Sequence, residues 1–212
     1  TSKGGHVRLI TNRVQVVGTG SAVPETRVAN HELTQELNTT DEWIRENLGI
    51  HERRVARSDD ERTSGLAGQA VARAISAAEI RYDQVGGLIV ATATPDQRAP
   101  STACLVQDDL EIRNGSFAFD VHAVCTGFLY GVGIAASMIE ADAADNVVVV
   151  GADTFSSITD WTDRSCVFFG DGAGAVVLQR NESGDGLLAL TLHADGRGRE
   201  GFFIAPGESH FR

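Results

Sequence analysis

The sequence predicts an α/β fold in which helices cover both faces of a largely parallel sheet. Apolar runs at residues 88–92, 117–121 and 146–151 lack the alternation of a half-exposed strand, and such runs are typical of strands buried on both faces. Segments with helical patterning separate these runs along the chain. An alternation of strands and helices indicates parallel neighbours, because a crossover helix is the usual connection between parallel strands.

The first half of the chain begins with one strand and continues through short helices. In order, we predict a strand at 14–18, a glycine-rich turn at 18–21, helices at 31–37 and 41–49, a polar loop at 53–60 and a helix at 64–78. Asn30 is suited to cap the first helix, and Thr39 or Thr40 the second, because their side-chain oxygens can accept from free backbone N–H groups.

The second half contains the remaining buried strands. We predict a helix at 101–110, a helix at 125–139, and strands at 173–179 and 187–192 joined by a turn at 181–184. The helix at 125–139 is apolar on nearly every side, so we expect it to be buried. The resulting order is β-α-β-α-β-α-β-β, followed by a final strand.

Composition excludes several functional classes. The chain has 212 residues and 18 Lys and Arg against 29 Asp and Glu, a net charge of −11 that argues against nucleic acid as a partner. Apolar stretches are too short for a membrane span, and we expect neither a membrane nor a metal as a partner. Three cysteines without a paired spacing or a secretion signal favour free thiols and a cytoplasmic location. Residues 1–10 are expected to be an N-terminal extension or an expression scar.

Two glycine-rich segments could be taken for phosphate-binding loops. Residues 18–23 begin like a dinucleotide fingerprint but lack its third glycine, and Pro24 interrupts the helix that should follow. Residues 170–175 precede a strand and not a helix, so they offer no helix N-terminus to a phosphate. We therefore do not expect the first segment to bind a dinucleotide, and we expect the second to serve close backbone packing against a core helix.

Cys125 has the most informative surroundings of the three cysteines. It follows the buried strand at 117–121 and begins the apolar helix, where the positive end of the helix dipole favours a thiolate. A thiolate there suits acyl transfer through a thioester. A buried structural thiol remains an alternative. Cys104 and Cys166 are better explained by packing.

Two polar segments allow either a structural or a ligand-binding interpretation. Trp43 lies among charged neighbours on its helix, either at a corner of the core or as a stacking platform for a flat ligand. Arg164 lies in a polar loop that could be a solvated turn or could supply a cation to a phosphate.

Seven segments, spread in order over nearly the whole chain, carry a resemblance to a known family. They resemble the beta-ketoacyl-acyl-carrier-protein synthase III family of thiolase-fold condensing enzymes, at residues 18–21, 38–44, 48–54, 119–128, 162–164, 169–175 and 192–196. The resemblance implies a thiolase-like half with a mixed five-stranded sheet, occupying residues 11–212, and a second half that this chain does not include.

The resemblance also implies a role for individual residues. Cys125 matches the acylated nucleophile, Trp43 and Arg164 the two sides of an adenine clamp for coenzyme A, and Thr39 a further coenzyme A contact. The implied reaction passes an acyl group from acyl-coenzyme A to Cys125, after which malonyl-acyl carrier protein loses carbon dioxide and attacks it. No cofactor is implied, since acyl-coenzyme A is a substrate. A homodimer is implied, with the strand at 117–121 on the two-fold axis.

The chain departs from the family pattern at several positions. The family's catalytic His and Asn lie in the second half, and neither His193 nor His210 matches that His. Asn47 stands where the family often has an Arg for the coenzyme A phosphates, and Ala99 stands where it often has a large residue closing the acyl pocket. Two alternatives therefore stay open: a non-catalytic thiolase-fold partner subunit, and a Cys-dependent acyltransferase that does not decarboxylate.

Overall fold

Strands and helices alternate along the chain as the sequence pattern predicts. The computed structural model describes residues 7–9, 13–112, 115–201 and 203–204. The elements are β1 (Val7–Leu9), β2 (Val14–Ala22), β3 (Arg27–Ala29), α1 (Asn30–Leu33), α2 (Asp41–Leu48), β4 (Glu52–Arg54), α3 (Thr63–Ala77), β5 (Gly87–Ala91), α4 (Thr102–Asp109), β6 (Phe117–Val121), α5 (Gly127–Glu140), β7 (Asn146–Thr154), β8 (Asp171–Arg180) and β9 (Leu190–Leu192).

The main sheet has five strands in the order β2-β8-β7-β5-β6. Strand β5 is parallel to both β6 and β7, whereas β8 is antiparallel to both β2 and β7. Four strands therefore run in one direction and β8 runs in the other. The predicted mixed five-stranded sheet is confirmed.

Helices cover the sheet on both faces, and this explains the apolar runs. Helices α3 and α4 pack on one face with Leu88 and Val90, and helix α5 packs on the opposite face with Ile89. All five residues of β5 are buried because neither face of the strand meets water. At the sheet edge, β6 is only partly buried throughout, so the expectation of a fully buried strand at 117–121 was wrong.

The glycine-rich turn expected at 18–21 is instead the second half of strand β2. A Cβ atom on Gly18 would lie 2.3 Å from the Ala74 carbonyl oxygen, and one on Gly20 would lie 2.2 Å from the Ala70 carbonyl oxygen. The glycines are there because helix α3 lies against the strand backbone. The placement of this motif in a turn was therefore wrong.

The glycine segment at 170–175 differs from expectation in part: Ala173 and Ala175 pack with helix α3 in the core, but a Cβ atom on none of its three glycines would lie within 4 Å of a helix. It leads into strand β8, and a Cβ atom on Gly170 would lie 3.1 Å from the Cβ of Arg53 and 3.2 Å from the carbonyl oxygen of Arg54, both in strand β4. A Cβ on Gly174 would meet nothing within 4 Å.

Two polar residues of the first half are more deeply buried than the sequence pattern indicates. Asn30 is 1% exposed and lies inside α1, so it does not cap a helix. Arg53 is 5% exposed and lies in β4, which pairs with β3, so residues 53–54 do not belong to a polar loop. Both side chains are held by hydrogen bonds to distant residues, a pattern that local sequence cannot reveal.

The last predicted strand, at 187–192, is shorter and pairs elsewhere. Only residues 190–192 form a strand, β9, and it pairs with β1 outside the main sheet. Strand β8 already has β2 on one side and β7 on the other, so a following strand has no free edge beside it. Three residues of segment 1–10 are thus in the fold as β1, and His210 lies outside the described residues.

Candidate functional site

Cys125 lies where strand β6 ends and helix α5 begins. It occupies a single 3-10 turn, Val124–Thr126, and helix α5 follows from Gly127, two residues later than predicted. The N–H and hydroxyl of Thr126 both donate to the Ala123 carbonyl oxygen, at 3.2 and 3.0 Å, and tighten this turn. The position of the Cys125 thiol is therefore set by a turn immediately before helix α5.

The backbone before Cys125 is strained. Val124 has a φ of 45°, a left-handed conformation that is costly for a β-branched residue. Such strain is concentrated at functional sites, where the surrounding structure holds it. Behind the turn, a Cβ on Gly127 would lie 3.2 Å from the Ala91 Cβ, so the start of α5 packs closely on the end of β5. Cys125 itself is exposed within this chain, whereas the alternative that the sequence left open was a buried structural thiol.

The other two cysteines, unlike Cys125, are half-buried or buried in the fold. Cys104 is half-buried on α4, where the Ser101 hydroxyl lies 3.2 Å from its sulfur. Cys166 is fully buried, and burial raises the pKa of its thiol while the Arg53 guanidinium opposes that shift. A raised pKa keeps a thiol protonated and inert. Both agree with the packing role expected of them.

A second group of side chains brings Trp43 and Arg164 together. The Arg164 guanidinium carbon lies 4.2 Å from the centre of the Trp43 ring, a cation–π contact. Trp43 lies on α2, and Arg164 begins the 3-10 turn Arg164–Phe168. Asp163 caps that turn by accepting from the Ser165 N–H at 2.7 Å, and hydrogen bonds from Ser165 lower the pKa of the Asp163 carboxyl.

The start of α2 distinguishes the two candidate cap residues. Thr40 is the cap, because its hydroxyl accepts from the Trp43 N–H at 3.1 Å. The Thr39 hydroxyl oxygen is buried without a hydrogen-bond partner among the described residues. Asn47 donates to the Trp43 carbonyl oxygen at 2.9 Å, and Arg45 pairs with Asp41 at 3.1 Å.

Ala99 lies in an exposed loop between β5 and α4, and the start of that loop is held by an unpredicted carboxylate. Oxygen Oδ1 of Asp153 accepts from the Ala93 N–H at 2.7 Å and from the hydroxyls of Thr92 and Thr94 at 3.2 Å each. Burial raises the pKa of the Asp153 carboxyl, although these hydrogen bonds oppose the shift. The sequence signal for Asp153 was its position at the end of a buried apolar strand.

The predicted site residues fall into separate groups. In the part of the chain that the structure describes, no hydrogen bond, ion pair or ring contact joins Cys125 or Ala99 to the Trp43–Arg164 pair.

Across the same residues, no group of three or more His, Cys, Asp or Glu side chains could hold a metal ion. Nor does any described helix have the length and apolar character to cross a bilayer.

Comparison with known proteins gives consistent matches. Residues 119–196 match the family described as 3-oxoacyl-[acyl-carrier-protein (ACP)] synthase III. The chain is 51% identical over 199 residues to the beta-ketoacyl-[acyl-carrier-protein] synthase III of Rhizorhabdus wittichii, covering 93% of this chain and 62% of the relative. It is 49% identical over 183 residues to that of Neisseria meningitidis serogroup A, covering 86% of this chain and 57% of the relative.

Solved structures agree with these relatives. The crystal structure of 3-oxoacyl-[acyl-carrier-protein] synthase III from Aquifex aeolicus superposes with a TM-score of 0.84 at 38% identity, covering 94% of this chain and 64% of that one. The priming beta-ketosynthase of the R1128 polyketide pathway superposes at 0.82 with 28% identity, covering 95% and 60%. The chain thus spans about three fifths of the length of the relatives it matches.

Proposed function

The chain belongs to the 3-oxoacyl-[acyl-carrier-protein] synthase III family, and on this premise we propose that the protein condenses an acyl-coenzyme A primer with malonyl-acyl carrier protein. The product is a 3-oxoacyl-acyl carrier protein that starts fatty-acid or related biosynthesis in the cytoplasm. The observation that carries the proposal is Cys125, an exposed thiol on a strained turn directly before the N-terminus of α5.

The proposed reaction has two steps that share this sulfur. In the first, the Cys125 thiolate attacks the thioester carbonyl of acyl-coenzyme A, and coenzyme A leaves as its thiol. In the second, malonyl-acyl carrier protein loses carbon dioxide, and the resulting carbanion attacks the acyl group on Cys125 and releases the thiolate. The backbone N–H of Cys125 is the proposed donor to the oxyanion that forms in both steps. Neither step needs a cofactor.

We assign the nucleotide end of acyl-coenzyme A to the Trp43–Arg164 pair. An adenine can stack on an indole ring and on a guanidinium plane. The two groups lie in direct contact at 4.2 Å, so a base that enters between them displaces the exposed Arg164 side chain. Thr39 precedes the same helix, and on the family resemblance we assign it a further contact to this ligand.

We also propose that the protein acts as a homodimer. Strand β6 is an edge strand of the main sheet, with β5 on one side and no strand of the described residues on the other. An uncovered edge of this kind can pair with the same strand of a second copy. Ala99 lies in the exposed loop before α4, and in such a dimer we assign it to the partner's acyl pocket.

The family's decarboxylating His and Asn have no match among the motif positions of this chain. We propose that they are supplied by the part of the family fold that the chain does not include, on the same or another polypeptide. A Cys-dependent acyltransferase that does not decarboxylate is the second candidate, because the exposed Cys125 thiol alone accounts for acyl transfer.

The test is acylation of the complete protein. Incubation with acyl-coenzyme A should add one acyl group per chain, mapped to Cys125 by mass spectrometry, and Cys125→Ser should abolish it because a hydroxyl without a matched base is a poor nucleophile. Cys104→Ser serves as the matched control and should leave the adduct intact.

Addition of malonyl-acyl carrier protein then separates the two candidate functions. Release of carbon dioxide with loss of the adduct supports condensation, whereas a stable adduct supports simple acyl transfer. An adduct on Cys104 or Cys166 would contradict the assignment of the nucleophile.

A further inference from the structure

The Trp43–Arg164 pair depends on two elements that are far apart in the sequence. Helix α2 carries Trp43, and the 3-10 turn Arg164–Phe168 carries Arg164. Arg164 is exposed, and among the described residues its side chain contacts the Trp43 ring alone. This single surface contact cannot by itself hold both elements in place. Some buried structure must therefore set the spacing between them.

One link is the buried guanidinium of Arg53. Its Nη2 donates to the carbonyl oxygen of Val167, in the same turn as Arg164, at 3.4 Å. The same nitrogen donates to Oδ1 of Asn30 at 2.7 Å, and Nη1 donates to the carbonyl oxygen of Val28 at 3.1 Å. Arg53 thus ties the Arg164 turn to β3 and α1.

Asn30 continues the connection to the helix of Trp43. Its Nδ2 donates to Oδ1 of Asp41, the first residue of α2, at 2.8 Å, and to the carbonyl oxygen of Ile50, just beyond the helix, at 2.7 Å. Both ends of α2 are therefore held by one side chain. A continuous hydrogen-bonded chain runs from Val167 through Arg53 and Asn30 to Asp41.

The hydrogen-bonded connection from Val167 to Asp41 requires an arginine at position 53. Burial lowers the pKa of the Arg53 guanidinium, while Glu32 and Cys166 oppose that shift, and an arginine stays charged in proteins. A buried charge is costly unless its donors are paired. Nη1 and Nη2 of Arg53 reach three acceptors at once, whereas its buried Nε has no partner among the described residues. A lysine ammonium is a single point and cannot reproduce that geometry.

We propose that Arg53 and Asn30 are positioning residues that set the distance between Trp43 and Arg164 and so determine affinity for the nucleotide part of the acyl donor. The proposal rests on the proposed function, because it assumes that this pair binds the nucleotide of coenzyme A. Neither residue touches the reacting atoms. Their effect should therefore be felt only by a donor that carries a nucleotide.

The experiment compares two donors on the complete protein: an acyl-coenzyme A and the matching acyl-pantetheine, which lacks the nucleotide. Arg53→Lys should raise KM for the coenzyme A donor about tenfold, the effect of losing about 1.4 kcal/mol of stacking. It should leave kcat and the acyl-pantetheine rate within about twofold, because a donor without a base makes no stacking contact. Trp43→Ala should cause the same loss, and the double variant no further one.

The matched control is Arg27→Lys. Arg27 lies on β3, is exposed, and pairs with Glu52 at 2.9 Å outside the chain of buried hydrogen bonds, so its replacement should change neither donor's kinetics. Asn30→Ser shortens the side chain that forms the middle link and changes no charge. If Arg53→Lys fails to fold, the same two-donor comparison is made with Asn30→Ser.

Equal losses with both donors, or no loss with either, would overturn the positioning role. Failure of the wild-type protein to acylate Cys125 from either donor would instead overturn the proposed function, so the two failures are distinguishable.

Discussion

Replacement of Gly20 by alanine tests why strand β2 carries its glycines. The new Cβ would lie 2.2 Å from the Ala70 carbonyl oxygen and 2.5 Å from the Ala74 N–H nitrogen. Since ordinary contacts begin at about 3.4 Å, helix α3 would have to retreat by about 1 Å. The helix cannot do so freely, because residues such as Leu66 and Val71 on its inner face are fully packed in the core.

The magnitude follows from the cost of overpacking. Inserted carbon atoms in a packed core cost about 1–3 kcal/mol, and backbone atoms on the opposing side put Gly20→Ala at about 2–3 kcal/mol. For a chain of this size we expect a fall in Tm of about 4–12 °C, measured by thermal unfolding of the complete protein. Gly174→Ala is the matched control, since a Cβ there meets nothing within 4 Å on the neighbouring strand. Its Tm should change little or rise slightly, because alanine is entropically better than glycine in a strand.

Equal Tm values for the two variants would refute the reasoning. The close approach of α3 would then not require glycine at position 20, and the glycine pair of β2 would need a ligand-based explanation instead.

Two further predictions concern the loop after β5. Ala99→Phe should shift the preferred acyl-coenzyme A from medium chains toward acetyl in acylation-rate measurements, since each buried methylene is worth about 0.8 kcal/mol; an acetyl optimum in the wild type would refute this. Because burial raises the pKa of Asp153, its ionisation opposes folding as pH rises through that pKa. Asp153→Asn, which cannot ionise but can still accept at Oδ1, should therefore gain stability relative to wild type as the pH rises above about 4, the ordinary pKa of an Asp carboxyl in the unfolded chain. A stability difference independent of pH, in thermal unfolding at several pH values, would contradict the argument.

Residue patterns close together in sequence predicted the main elements of the fold well. The apolar runs at 88–92 and 146–151 indicated strands covered on both faces, and the structure confirms the covering helices. The mixed five-stranded sheet was implied by the family resemblance and is also confirmed. Such patterns work because the repeat of a strand or helix is local, and each residue reports directly on which face meets water.

The candidate site was predictable in its residues but not in its geometry. Cys125, Trp43 and Arg164 were singled out from residue type and motif, yet the left-handed φ of Val124 and the late start of α5 were not. A strained φ is imposed by packing at both ends of a turn, so no local propensity signals it.

The sequence by itself determined the class of fold, the order of its main strands and the chemically capable side chains, because these depend on local periodicity and residue type. Only the tertiary structure decided that Asn30 is not a helix cap, that Arg53 is buried, and that 187–189 lies outside any strand. Each of these outcomes depends on a partner more than 20 positions away or on an edge of the sheet that is already occupied. A buried polar group must find a hydrogen-bond partner wherever the fold supplies one, and that partner is set by packing between distant segments.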